Sequence, residues 1–325
     1  MLFEYISASY RNIILLIGAV VSVIFVYFLL SRAAKILPAD RGRDYAVNSE
    51  KSKGKPTSTG LLFISLFCLL SLIFVPFCLE YTIYYILLLS AMVTGFLDDR
   101  AVTAWKEVKK GLLDLLISAG TACTFAFFQS TDIVLPILGK SFTISLPLFI
   151  ILATILVWVS INVTNITDGV DGLSSSLVII SLLFIFLYTL LITKVESSWF
   201  YTFSLLIPIL FIYLRFNASP SKLLMGDAGS RPLGVLLAIS VLFSKNPFSY
   251  LLFCLVIIFD GGASLIKIPL KRYLHISVMK NIRTPLHDHA RKNKLWSDPK
   301  VVTRFAIFHI LICAAYLLLS FLFIR

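Results

Sequence analysis

Charge is what this 325-residue sequence has least of: 14% of its residues are charged against 58% hydrophobic, with a mean hydropathy of +0.93. A water-soluble core of that composition leaves too little polar surface to cover itself, which excludes a soluble enzyme. The cysteines (Cys68, Cys78, Cys123, Cys254 and Cys313) stand singly in apolar runs without CxxC spacing, so neither a disulfide framework nor a zinc site is implied. No GxxxxGK[ST] phosphate loop or dinucleotide fingerprint occurs, and GKPTSTG at 54–60 has the wrong spacing. Tandem repeats and low-complexity tracts are absent as well.

What the sequence does have is long apolar runs. Segments at 12–31, 60–79, 81–97, 111–128, 146–161, 173–193, 198–214, 231–244, 249–269 and 303–324 have the length and composition of membrane helices. They predict an all-α polytopic integral membrane protein of about ten transmembrane helices, forming one transmembrane domain over residues 1–325. The connections at 32–59, 98–110, 162–172, 215–230 and 270–302, with their immediate edges, hold 24 of the 29 lysines and arginines; the other five are Arg11, Lys140, Lys194, Lys245 and Arg325. That asymmetry predicts these loops to be cytoplasmic and both termini extracytoplasmic. It also accounts for the net charge of +12 without a nucleic-acid partner.

The same loops collect the unusual polar residues, so an active site is predicted on the cytoplasmic face. Asp98 and Asp99 close the third span, where adjacent acids oppose the helix dipole. Asn162, Asn165, Asp168 and Asp171 recur every three residues, near one face of a helical continuation, with Gly169 and Gly172 permitting close approach of a ligand. Asp227 in MGDAGS suits a helix N-cap and equally an oxygen ligand for a hard cation. His287 and His289 flank Asp288 beside Arg283, Arg291, Lys292 and Lys294, an anion-binding composition. Carboxylates facing a basic loop at a membrane surface suit phosphoryl transfer, and oxygen donors without cysteine favour magnesium over zinc.

The segments GKPTSTG, GFLDDR, NVTNITDGVDGL, FNASPSKLLMGDAGS and PLHDHARKNKLWSDPKVVTRF, in that order, resemble the polyprenyl-phosphate N-acetylhexosamine-1-phosphate transferases, most closely the branch whose donor is UDP-MurNAc-pentapeptide. The resemblance implies a ten-helix, usually dimeric protein of the bacterial cytoplasmic membrane that works among membrane lipid. With Mg2+ it would move the phospho-sugar onto undecaprenyl phosphate, giving lipid I and UMP. By motif, Asp98 and Asp99 are implied at the acceptor site, and Asn165, Asp168, Gly169 and Asp171 in the nucleotide and sugar-phosphate loop, with Asn162 a further substrate-binding candidate from its spacing. Asn217 is implied in substrate binding and Asp227 as the magnesium ligand. His287 and His289 match two positions of the family's histidine loop, with Arg283 beside them a substrate-binding candidate from its charge, and Lys53 and Thr57 resemble the nucleoside-side residues. The active-site lysine falls on Lys110 or its neighbour Lys109, with Lys110 preferred. His287-Asp288-His289 replaces three histidines, and Arg231-Pro232 replaces an apolar pair. A donor such as UDP-GlcNAc is the alternative in the same class. Asp260, inside span nine, motivates a transporter or flippase as the alternative outside it. Gly261-Gly262 and Pro269 predict a break in that span, opening a groove beside Asp260 for the acceptor's prenyl tail.

Overall fold

The computed structural model describes residues 10–42, 52–103 and 105–323. Its helices are α1 (Arg11–Ser31), α2 (Gly60–Phe74), α3 (Leu79–Arg100), α4 (Glu107–Phe128), α5 (Leu146–Thr167), α6 (Leu173–Tyr188), α7 (Phe203–Asn217), α8 (Asp227–Phe243), α9 (Tyr250–Phe253), α10 (Leu255–Tyr273), α11 (Leu286–Asn293) and α12 (Asp298–Phe323). Each predicted apolar segment carries one, with α9 and α10 sharing the ninth. Among the described residues, seven helices are long and apolar enough to cross a membrane, or eight with the bent ninth segment taken as one span. The chain is an all-α, multi-pass membrane protein. A small antiparallel hairpin, β1 (Asp132–Leu135) with β2 (Lys140–Thr143), was not predicted and joins α4 to α5.

The helical turns that flank α6 and α7 extend them to spans of 21 residues (Leu173–Thr193) and 20 residues (Ser198–Asn217). The two segments that fall short are those of α2, with 15 residues, and α8, with 17. For α8 the reason is its place: every residue from Asp227 to Phe243 is buried, enclosed by α2, α3, α4, α5 and α6. A helix that touches no lipid need not match the bilayer's thickness. Gly234 lets it approach α5, for a Cβ there would lie 2.6 Å from Ile161 Cα.

The ninth segment bends by 88° at Cys254, between α9 and α10. The predicted breakpoints are wrong: α10 runs unbroken through Gly261, Gly262 and Pro269. Gly261 serves packing instead, since a Cβ there would come within 2.7 Å of Val163 Cα on α5. A bend in an apolar setting frees backbone carbonyls that water cannot reach. Here Ser181 Oγ donates to Phe253 O at 2.7 Å, and Cys313 Sγ lies 3.8 Å from the same oxygen.

Helix direction alternates, so α3, α5 and α7 end, and α2, α4, α6 and α8 begin, at one end of the bundle. The last residues of α1 and the first of α12 lie there too. At the opposite end Tyr316 of α12 meets Asn246 at 3.3 Å, and Lys245 Nζ donates to Ser130 beside the hairpin. All the polar motifs therefore share one end.

Candidate active site

The N-terminus of α8 is the centre of this end. Its N-cap is Gly226, at φ 68°, which has no side chain to satisfy the first-turn N–H groups. Asp99 does so from α3: its carboxylate accepts from Asp227 N at 3.1 Å and Ala228 N at 3.3 Å, and from Ser58 Oγ at 2.8 Å. A negative charge is well placed against the positive helix end. Only glycine fits at 226, because a Cβ would overlap Asp99 Oδ2.

With Asp99 as the cap, the side chain of Asp227 faces elsewhere. Its Oδ1 accepts from Asn165 Nδ2 at 2.9 Å, and its Oδ2 lies 3.4 Å from Lys110 Nζ. Lys110 also pairs with Asp98, whose other oxygen accepts from Trp105 N at 2.9 Å. One ammonium thus stands between two buried carboxylates. Lys109 points away and lies over the Trp105 ring, 3.3 Å from its centroid. Among the described residues no three His, Cys, Asp or Glu side chains are gathered to cage a metal. Magnesium is commonly held by one or two carboxylates with water and substrate phosphates, and the Asp227 carboxylate fits that demand.

A second cluster forms around the turn after α5. Asp171 Oδ2 accepts from Ser221 N at 3.0 Å and lies 3.8 Å from Lys55 Nζ, which donates to Ser221 Oγ at 2.9 Å. Asn217, buried, binds the turn to the next loop: its Oδ1 accepts from Gly172 N and its Nδ2 donates to Leu223 O, both at 2.9 Å. The third cluster is built on Asp260. Its carboxylate accepts from His287 N and approaches His287 Nδ1, each at 2.7 Å, which fixes the ring so that Nε2 faces Gly169. Arg291 donates to Gly169 O at 2.8 Å, while Asp288 lies 3.7 Å from Arg291 and 4.0 Å from Arg283. His289 Nδ1 accepts from Arg283 N at 3.2 Å. Beside this cluster an open apolar cavity of about 590 Å3 is lined by residues including Leu255, Phe259, Trp296 and Phe305.

Residues 81–245, about half of the chain, match glycosyl transferase family 4. The phospho-N-acetylmuramoyl-pentapeptide-transferase of Treponema pallidum (strain Nichols) is 39% identical over 300 residues, covering 87% of this chain and 83% of the relative. The enzyme of that name from Clostridium botulinum (strain Eklund 17B / Type B) is 30% identical over 277 residues, covering 81% and 82%. The one from Campylobacter jejuni (serotype O:6, strain 81116) is 30% identical over 287 residues, covering 81% and 80%.

The chain belongs to glycosyl transferase family 4. It is an enzyme of the phosphotransferase kind, and the transporter reading falls. Asp260, which prompted that reading, is occupied in holding His287.

Of the residues singled out in the sequence of this family 4 member, Asp98, Asp99, Lys110, Asn165 and Asp227 come together. Asp171 and Asn217 join through the neighbouring turn, and Gly169, His287, His289 and Arg283 form the third cluster. Asp168 is half-buried at the C-cap of α5. Asn162 turns back to Trp158 O at 2.9 Å. Lys53 is exposed, and it is Lys55 that reaches the site; Thr57 is buried, its N–H donating to Pro38 O at 2.9 Å. Ser58, Ser230 and Lys55 were not singled out from sequence. Ser230 Oγ accepts from Asn165 Nδ2 at 2.9 Å. The sequence signal for the first two was membership of PTSTG and MGDAGS, where attention went to the charged or glycine positions.

Proposed function

We propose that this chain transfers phospho-MurNAc-pentapeptide from UDP-MurNAc-pentapeptide to undecaprenyl phosphate, releasing UMP and forming lipid I for peptidoglycan synthesis. The observation that carries the reading is Lys110 standing between Asp98 and Asp227 at the mouth of the buried helix α8. The site lies at the cytoplasmic face of a bacterial cell membrane, within a single transmembrane domain, and the resemblance implies a homodimer.

Asp227 would hold Mg2+, which would neutralise charge on the donor's pyrophosphate. Asp98 accepts the proton of the undecaprenyl phosphate, whose oxygen attacks the sugar-linked phosphorus in line. The bond to UMP then breaks. Lys110 steadies the charge that builds between the two phosphates, and Asn165 orients Asp227. Asp168, Gly169 and Asp171 border the sugar phosphate, with Asn162 on the same helix face. Lys53, Lys55, Thr57 and Asn217 serve the nucleoside side. Arg283, His287 and His289 meet donor oxygens, His287 with its ring fixed by Asp260. The apolar cavity beside Phe259 takes part of the prenyl tail. Two phosphates brought together in this way need no protein nucleophile, which favours single displacement.

UDP-GlcNAc as donor is a second reading, favoured by Asp288, whose carboxylate lies near both Arg283 and Arg291 and so reduces the loop's capacity for anions. Incubating the purified protein with undecaprenyl phosphate and each donor separates the two. Lipid I formed faster than lipid-linked GlcNAc supports the first reading, and the reverse order supports the second.

A further inference from the structure

Below the Lys110 contacts lies an ion pair that the proposed chemistry does not use. Arg231 on α8 and Asp114 on α4 are 2% and 4% exposed. Arg231 Nε donates to Asp114 Oδ1 at 3.0 Å, and Nη2 donates to the same oxygen. Arg231 Nη1 has no hydrogen-bond partner among the described residues. Burying two charges costs more than burying two apolar side chains of similar volume, so packing alone does not account for the pair.

Its placement does. Asp114 follows Lys110 by four residues on α4, and Arg231 follows Asp227 by four on α8. Each therefore lies one helical turn beneath a member of the upper pair, on the same face. The two helices are bridged twice, by Lys110–Asp227 at 3.4 Å and by Arg231–Asp114. The polarity alternates: α4 supplies the cation above and the anion below. A slide or rotation of α4 along α8 that placed Lys110 away from Asp227 would pull a buried charge from its partner, leaving it unpaired in an apolar interior. We infer that Asp114 and Arg231 are positioning residues that lock the register of α4 on α8 and so hold Lys110 against Asp98 and Asp227. The kinetic consequence rests on the transferase reading; the register does not.

The test is the double variant Asp114→Leu/Arg231→Met, which removes both charges and keeps the volume apolar. Its melting midpoint in detergent should match or exceed the wild type's. The kcat for transfer should fall at least about tenfold with donor KM little changed, as expected when a catalytic group is misplaced. Lys110, released from its clamp, should react several-fold faster (~3-fold or more) with an amine-labelling reagent read by peptide mass spectrometry. Wild-type kcat with wild-type Lys110 labelling would overturn the inference. So would a lowered melting midpoint with unchanged kcat per folded molecule, the mark of a purely structural pair. If the double variant does not insert, Asp114→Asn decides, because it keeps the acceptor oxygen and removes the charge. Faster Lys110 labelling with a fall in kcat of about threefold supports the lock, and wild-type values in both overturn it. Should the wild type transfer neither donor while labelling responds as described, the transferase reading fails and the register lock stands.

Discussion

Asp227 has both oxygens engaged, one by Asn165 and one by Lys110, so its charge and its shape are separable by substitution. Asp227→Asn keeps the shape. It should lower kcat by at least about 100-fold with the melting midpoint nearly unchanged, measured as UMP release at saturating magnesium. Near-normal turnover with an unaltered magnesium requirement would remove Asp227 as the ligand. Gly169 is tested by steric means, since a Cβ there would overlap His287 Nε2. Gly169→Ala should therefore act through His287, and adding it to His287→Ala should cost less than about threefold further in kcat/KM; full additivity would show two separate effects. The three-residue recurrence from Asn162 to Asp171 was legible in the sequence. Which of its members converge was not, because their partners are supplied by other elements: Asn165 pairs with Asp227, 62 positions away, and Asp171 with Ser221, 50 away.

The bend between α9 and α10 shows how element-scale signals mislead. Cys254, where the chain turns, has neither proline nor glycine beside it, whereas Gly261, Gly262 and Pro269 sit inside a continuous helix. What stabilises the turn is distant in sequence: Ser181 on α6 and Cys313 on α12 both approach Phe253 O. Ser181→Ala leaves that carbonyl without its short hydrogen bond and should cost about 1–3 kcal/mol, seen as a lower melting midpoint in detergent. An unchanged midpoint would show that the hydroxyl is dispensable to the bend. The hairpin β1–β2 was invisible for another reason: two strands of four residues between apolar helices carry too little period-two pattern to register.

For the molecule as a whole, the apolar runs made the helical segments legible, because crossing a membrane imposes a length and composition that short soluble elements lack. The side on which the motif end lies is an expectation from its basic residues. A cysteine placed at Leu138 in the hairpin should react with an impermeant thiol reagent on intact cells, and one at Lys271 only after lysis; the opposite pattern would invert the topology. Enclosure of α8 has a consequence for how the sequence can change with time. In the apolar windows of α1 and α12 only 28% and 22% of residues are buried, and lipid accepts many apolar side chains there. Along α8 all 17 positions meet protein on every side, so each replacement must be answered by a neighbour. A saturation scan for viability should find α8 nearly invariant and the lipid faces of α1 and α12 freely variable, and the variation that separates lineages should accumulate from the rim inward.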